Sequence, residues 1–337
     1  MSIVPIYVGL DYHDDSIRVC IMDHEGSELV NRNRPNDVEM VGEFVLQYGF
    51  PQSVAIEACS GAASFAHSLE RMYRWPVRLA HPGYVSRLKQ GPDKSDHDDA
   101  QVLADLLRVD YLPDVWLAPE VILQLRRLVH YRQSLAHDRK NVKLRIRALL
   151  REERVPKPEY RPWTKPWKAW VAAVSLGEQA SWVMQRLLRQ LELLENDIHE
   201  TEQRLEEITA DDPVVQKLLG QRGVGLITAV TMRAEIGTFE RFHSGKQLAR
   251  FCSVTPLNAS TGKRQADAGL VKQGNPELRR VVIQAAHRIS RHVEKWNKLR
   301  HRLVCNGKPT SLAIAAVANR WVRWLYHQMV SPTPVAA

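Results

Sequence analysis

Cysteine is scarce in this 337-residue sequence and never clustered. Cys20, Cys59, Cys252 and Cys305 include no close-spaced pair and no histidine partner at metal-ligand spacing, which argues against a disulfide scaffold or a zinc module. They are expected to be reduced, with Cys20 and Cys59 in a core. No apolar run approaches the roughly 20 residues that span a bilayer, and the first residues show no signal-peptide pattern. The expectation is a soluble, intracellular protein with no membrane partner. A convincing glycine-rich phosphate loop is also missing, which argues against nucleotide hydrolysis as the activity.

What is present is ordinary globular material with unevenly placed charge. Hydrophobic residues make up 44% and charged residues 25%, and the length allows two domains with a connecting element. The net charge is +9, yet residues 1–110 carry ten Lys/Arg against seventeen Asp/Glu, while 114–172 carry fourteen against six. Residues 175–212 turn acidic, three against ten, and 241–302 are strongly basic, fourteen against three. Two basic blocks in this alternation point to a polyanion held by the basic parts. A solvated surface explains the middle acidic block better.

Residues 3–11 read as a buried strand ending in Asp11. Residues 16–23 alternate as a half-buried strand does, and a third strand near 28–32 completes an antiparallel meander. A helix at 37–48, a strand at 53–58 carrying Glu57, a helix at 62–73, a strand at 77–80 and a helix after Asp96 make an α/β layer. Residues 119–153 are helical, and Arg126, Arg127, Arg139, Lys140, Lys143, Arg145 and Arg147 crowd that stretch. The Pro- and Trp-rich segment 155–170 reads as an ordered linker.

Beyond it, Met184, Leu191, Ile198 and Leu205 occupy one seam position, and Leu187, Leu194, Thr201 and Ile208 the other. This 4-3 repeat marks a coiled coil over about four heptads, with pairing between subunits as its expected use. Residues 214–229 read as helix, Gly223-Val224-Gly225 turn, helix. That resembles a helix-hairpin-helix, whose free amides can hold a phosphate, although a plain turn reads equally well. The polar loop 256–272 carries Ser260, Thr261, Lys263, Arg264 and Lys272. Asn275 caps a helix over 276–293 with Pro276 at its first position, followed by Arg279 and Arg280. An apolar helix at 311–330 closes the chain's last domain.

The densest chemistry lies at Asp93, Asp96, Asp98 and Asp99, four acids in seven residues at the start of a helix. Carboxylates are favourable there, so a capping cluster is the plain reading. Asp96 and Asp99 also share one helical face, which makes half of a hard-cation site. Asp11 and Glu57 end strands that are neighbours in a ribonuclease-H-like layer. Together the four acids favour a two-metal phosphoryl-transfer centre using two Mg²⁺ or Mn²⁺ ions. Carboxylates that close would otherwise repel.

On Asp11, Glu57 and Lys94-Ser95-Asp96-x-x-Asp99-Ala100, together with Arg222-Gly223-Val224-Gly225, Thr255-Pro256, Ser260-Thr261-Gly262 and Lys272-x-Gly274-Asn275, the chain resembles the DEDD transposases of the insertion-sequence one-ten family. The resemblance covers nearly the whole chain. It implies a RuvC-like catalytic domain at 1–154, a linker and coiled coil at 155–212, and a mainly α-helical transposase domain at 213–337. It also implies a serine nucleophile, a structured non-coding bridge RNA as guide, donor and target DNA as substrates, and a dimer or tetramer in the cytoplasm of a bacterial or archaeal cell. The family serine stands immediately before the glycine, a place held here by Thr261, with Ser260 one step earlier. Ser260 is the favoured nucleophile because its primary hydroxyl is less hindered, and Thr261 is the alternative. Asp98 is an extra acid that a one-residue shift would exchange for Asp99.

The resulting expectation is a metal-dependent DNA recombinase whose basic residues, with Gly223 and Gly225, hold nucleic acid largely through phosphate. A RuvC-type nuclease or junction resolvase, acting by metals alone, is the nearest alternative. A nucleic-acid-binding protein whose acids are only caps is the non-enzymatic one.

Overall fold

Strand alternation and helix caps build the first of two units. The computed structural model describes residues 5–88, 96–258, 267–271 and 274–331. It divides into Met1–Glu120 and Val121–Ala337. The boundary falls inside the 1–154 stretch expected of the first domain, and the basic helix folds with the second unit.

The first unit runs β1 (Ile6–Tyr12), β2 (Ser16–Met22), β3 (Glu28–Pro35), α1 (Val38–Leu46), β4 (Pro51–Glu57), α2 (Ala62–Tyr73), β5 (Val77–Ala80), α3 (Pro82–Leu88), α4 (Asp96–Arg108) and β6 (Asp114–Val115). The six strands form one sheet in the order β3-β2-β1-β4-β5-β6. The meander β1–β3 is antiparallel, β1, β4 and β5 run parallel, and β6 returns antiparallel. Successive strand residues face opposite sides. Ile6, Val8 and Leu10 therefore pack with Val54 and Ile56 beneath Phe44 of α1 and Phe65 and Leu69 of α2. Tyr7 and Ala55 look the other way, toward Leu103 and Leu107 of α4. Asp37 caps α1 by accepting from the Met40 amide, as an N-cap aspartate does.

Helix α4 lies almost on the strand backbone. A Cβ on Gly9 would come within 2.0 Å of the Ala100 carbonyl oxygen and 2.6 Å of the Ala104 amide nitrogen. Glycine at this position is thus required by close approach. At its far end Arg108 donates to the His24 carbonyl, beside the β2–β3 turn. Met22, just before that turn, registers with Tyr7 at the start of β1. Hence α4 runs antiparallel to β1, and its first turn lies at the Asp11 end.

The second unit is mostly helical: α5 (Glu120–Glu152), α6 (Lys165–Ala173), α7 (Glu178–Ile208), α8 (Pro213–Leu219), α9 (Leu226–Ile236), α10 (Gly245–Phe251), a hairpin of β7 (Pro256–Asn258) and β8 (Asp267–Leu270), α11 (Pro276–His292), α12 (Glu294–Cys305) and α13 (Thr310–Val330). The segment expected as a linker contains α6, capped by Thr164. Its Trp167 and Val171 pack with Val142, Ile146 and Leu150 of α5 and Met184 and Leu191 of α7. One row of the 4-3 seam of α7 is thus covered within the chain, with Leu191 at 1% and Leu205 at 0% exposure, while Ile208 of the other row is 42% exposed. The apolar surface of α5 and α6 supplies that cover. Salt bridges from Arg132 to Glu202 and from Lys143 to Glu195 fix α5 and α7 antiparallel.

Helix α9 is buried almost all round, from Thr228 to Ile236, so its last carbonyls need partners inside the protein. Arg126 donates from Nε to the Ala234 carbonyl at 2.7 Å, and Arg241 donates from Nε to the Ile236 carbonyl at 2.7 Å. Burial lowers both guanidinium pKa values, that of Arg241 to about 10. Glu235, also buried, pairs with His130 at 2.7 Å.

Two measurements follow from this packing. Leu191→Ala should cost about 2–5 kcal/mol of stability in chemical denaturation. Because α5 and α6 cover Leu191 within its own chain, that loss should not depend on protein concentration. The hydrogen bond to Glu235 raises the His130 pKa above its ordinary 6.5. Stability from this pair is then fully present below about pH 6.5 and is lost as pH rises through the raised value. In His130→Gln, denaturation midpoints measured across that window should lose this decline.

Candidate active site

The parallel register of β1 and β4 brings two acids together. Leu10 pairs with Ile56, and one step further along both strands stand Asp11 and Glu57. Adjacent strands lie about 4.8 Å apart, and laterally paired residues share a face. Both acids therefore sit on the α4 side of the sheet, at its carboxyl end. Asp11 is 8% exposed and Glu57 half-buried.

Helix α4 brings its first turn to the same end. Ala100, Leu103, Ala104 and Leu107 are buried against the sheet. Asp99, four residues before Leu103, flanks that face and is half-buried, whereas Asp98 is exposed. Burial thus favours Asp99 over Asp98, for the reason the 3.6-residue period gives. Position 96 is the first of α4, four residues before Ala100. Its side chain lies outside the described residues. Among the described residues, no three His, Cys, Asp or Glu side chains gather closely enough to hold a metal ion. The donors that do converge, carboxylates at adjacent strand ends, fit a hard divalent cation in chemical type.

Two neighbours of these acids escaped the sequence reading. His13 Nε2 lies 3.0 Å from Asp11 Oδ2, a contact that the Asp-x-His spacing on one strand face could have signalled. Cys59 is exposed rather than in a core, because β4 has ended two residues earlier. Burial of its thiol raises its pKa, the Ala62 amide opposes this, and the negative field of Glu57, Asp11 and Asp14 raises it further. The sheet-facing thiol is Cys20, pushed up to about 12 first by burial and then by Glu28. His301 and Cys305, four residues apart on α12, also meet at 3.5 Å, a pairing that the cysteine spacing argument overlooked.

In the second unit, the expected nucleic-acid residues divide. Arg127, Lys140, Arg145 and Arg147 are exposed along α5, and Arg139 is half-buried. Lys143 pairs with Glu195 and lies 5.0 Å over the Trp163 ring. Arg126, turned into the end of α9, departs from its expected place on a binding surface. Gly223 has φ +91°, and a Cβ there would meet Ile289 at 2.9 Å, so close packing on α11 accounts for this glycine. Gly225 is the N-cap of α9. Asn275 caps α11 by accepting from the Glu277 and Leu278 amides, and Arg280 pairs with Glu277 while Arg279 is half-buried. Ser260, Thr261, Lys263, Arg264 and Lys272 lie outside the described residues.

A DEDD-type profile of the IS110 group, described as "Transposase", matches residues 8–154, and one described as "Transposase IS116/IS110/IS902 family" matches 215–302. The chain belongs to the IS110 family of transposases. It is 27% identical to the transposase for insertion sequence element IS1111A of Coxiella burnetii, over 85% of this chain and 78% of that protein. It is 25% identical to the transposase for insertion sequence element IS1328 of Yersinia enterocolitica, over 94% of both. A probable family 20 transposase of Pseudomonas aeruginosa is 26% identical over 82% of this chain and 83% of its own length. The family points to a divalent metal in this transposase, and among its described residues no helix is long and apolar enough to cross a membrane.

The acids can be tested before any DNA is added. Asp11→Asn, Glu57→Gln and Asp99→Asn should each weaken Mn²⁺ binding in calorimetry by at least the roughly 10–100-fold that indirect supporting groups cost. Asp98→Asn should stay near the parent. The reverse ranking of positions 98 and 99 would move the site by one residue.

Proposed function

We propose that this chain cuts and rejoins DNA strands for an insertion sequence, using the carboxylates of a RuvC-like first unit and a hydroxyl from the loop between β7 and β8. The observation that carries the reading is the convergence of Asp11 and Glu57 at neighbouring strand ends with the start of α4. Asp11, Glu57, Asp96 and Asp99 would hold two Mg²⁺ or Mn²⁺ ions, which supply charge stabilisation to a phosphate in transfer. The buried setting of Asp11 strengthens its electrostatic grip, and His13 holds that carboxylate in one orientation.

In the strand-transfer step, the hydroxyl oxygen of Ser260 attacks the DNA phosphorus as its proton leaves. A P–O bond to the departing strand breaks, and that strand takes up a proton as a free hydroxyl. The new phosphoester conserves the bond for rejoining, so no external energy source is needed. Thr261 offers the second hydroxyl, hindered by its methyl group. Arg264, Lys272, Arg279 and Arg280 are the cations proposed to hold the phosphate. The exposed α5 residues Arg127, Lys140, Arg145 and Arg147 would bind a structured guide RNA and DNA through backbone phosphates. A dimer or tetramer through the coiled coil of α7, where Leu193 and Ile208 stay exposed, completes the reading.

A nicked DNA substrate that traps the covalent species tests the mechanism. Peptide mass mapping should find the phosphodiester on Ser260, and Ser260→Ala should abolish the adduct while Thr261→Ala slows its formation. An adduct on Thr261 would exchange the two roles. Metal-dependent cutting with no adduct on either residue would favour the RuvC-type nuclease instead.

A further inference from the structure

The last two helices carry a cationic groove, lined by three residues of the basic 241–302 block together with Arg320. From Lys295 to the final residue the sequence contains seven Lys and Arg and no Asp or Glu. The fold concentrates part of that charge. Lys295, Lys298 and Arg302 project from α12, and Arg320 reaches the same groove from α13, enclosing about 330 Å³ over a floor of Trp296 and Leu299. Positions 295, 298 and 302 follow the spacing of one helix face, so the three cations form a row roughly 10 Å long. Trp296 and Leu299 are buried and hold the two helices together.

We propose that this groove binds the phosphate backbone of duplex DNA, as a contact separate from the α5 face and the β7–β8 loop. The inference rests on the strand-transfer reading for its partner, but its chemistry is local. Of the four cations, Lys298 pairs with Glu294 at 2.5 Å, through side chains that are 76% and 80% exposed. An ion pair so open to water is weak and yields readily to a phosphate. The groove also favours phosphates over bases. Lys295 lies over the faces of Trp296 and Trp324, at 4.9 and 5.7 Å, which occupies the rings an unstacked base would use. Contact through phosphate alone carries no sequence information. The groove therefore suits DNA flanking the recombined sequence, where sequence varies from one insertion to the next.

The test is the salt dependence of binding. A fluorescent duplex of random sequence is titrated with the full chain at several salt concentrations. Each neutralised duplex phosphate contributes about −0.9 to the slope of log affinity against log salt. Arg302→Gln with Arg320→Gln should make the slope shallower by about 1.8. The paired lysine replacements, Arg302→Lys with Arg320→Lys, should restore it, because only charge is required. An unchanged slope in the glutamine variant would overturn the proposal, as would equal losses in both variants. A variant that alters oligomer mass while leaving the DNA slope intact would instead seat an acidic segment of a second copy in the groove. The covalent trap separates this from the enzymatic reading: no adduct with an intact groove effect sinks the latter alone.

Discussion

Backbone lies on backbone where α4 crosses β1. The Ala100 carbonyl comes so near Gly9 that no side chain fits between them. Small residues continue that footprint across the sheet, with Ala55 on β4 and Ala80 on β5 in the same cluster as Leu103 and Leu107. This close seat makes the candidate site possible. A larger residue at position 9 would lift the helix and carry Asp99 away from Asp11 and Glu57. Close packing here therefore fixes where the acids stand as well as stabilising the sheet.

The two units solve opposite electrostatic problems. The first gathers acids at one sheet end, where carboxylates repel one another and where His13 lies against Asp11. The second must accommodate an excess of cations, and it does so in two ways. Arg126 and Arg241 turn inward to cap the buried end of α9, where the carbonyls offset part of the cost of desolvation. Others remain on open faces, on α5 and in the groove of α12 and α13, available to a polyanion.

Much was legible in the sequence because local signals were unambiguous. Alternation marked β1 and β2, the Asn275-Pro276 cap marked α11, and the acids before Ala100 marked the start of α4. What misled were signals whose partner lay far along the chain. A 4-3 seam looks the same whether a second subunit or α5 covers it. Prolines at 156–166 read as linker, although Pro166 falls in the first turn of α6, where its missing amide costs nothing. Lys295, Lys298 and Arg302 were legible as part of the basic block at 241–302, but their grouping with Arg320 forms only when two helices pack.

By itself, then, the sequence determined the kinds of element, their order, and which acids stand at strand and helix ends, because these depend on periods of two and 3.6 and on capping within a few residues. Tertiary structure alone decided that Asp11 and Glu57 are lateral neighbours, that α4 runs back along β1 on the footprint of Gly9, that Arg126 turns into the end of α9, and that α5 and α6 cover Leu191 of α7. Each of those facts is a contact between residues dozens of positions apart. No local pattern records which distant surface will cover which, since burial of apolar area is non-directional and only the packing of the whole selects the partner.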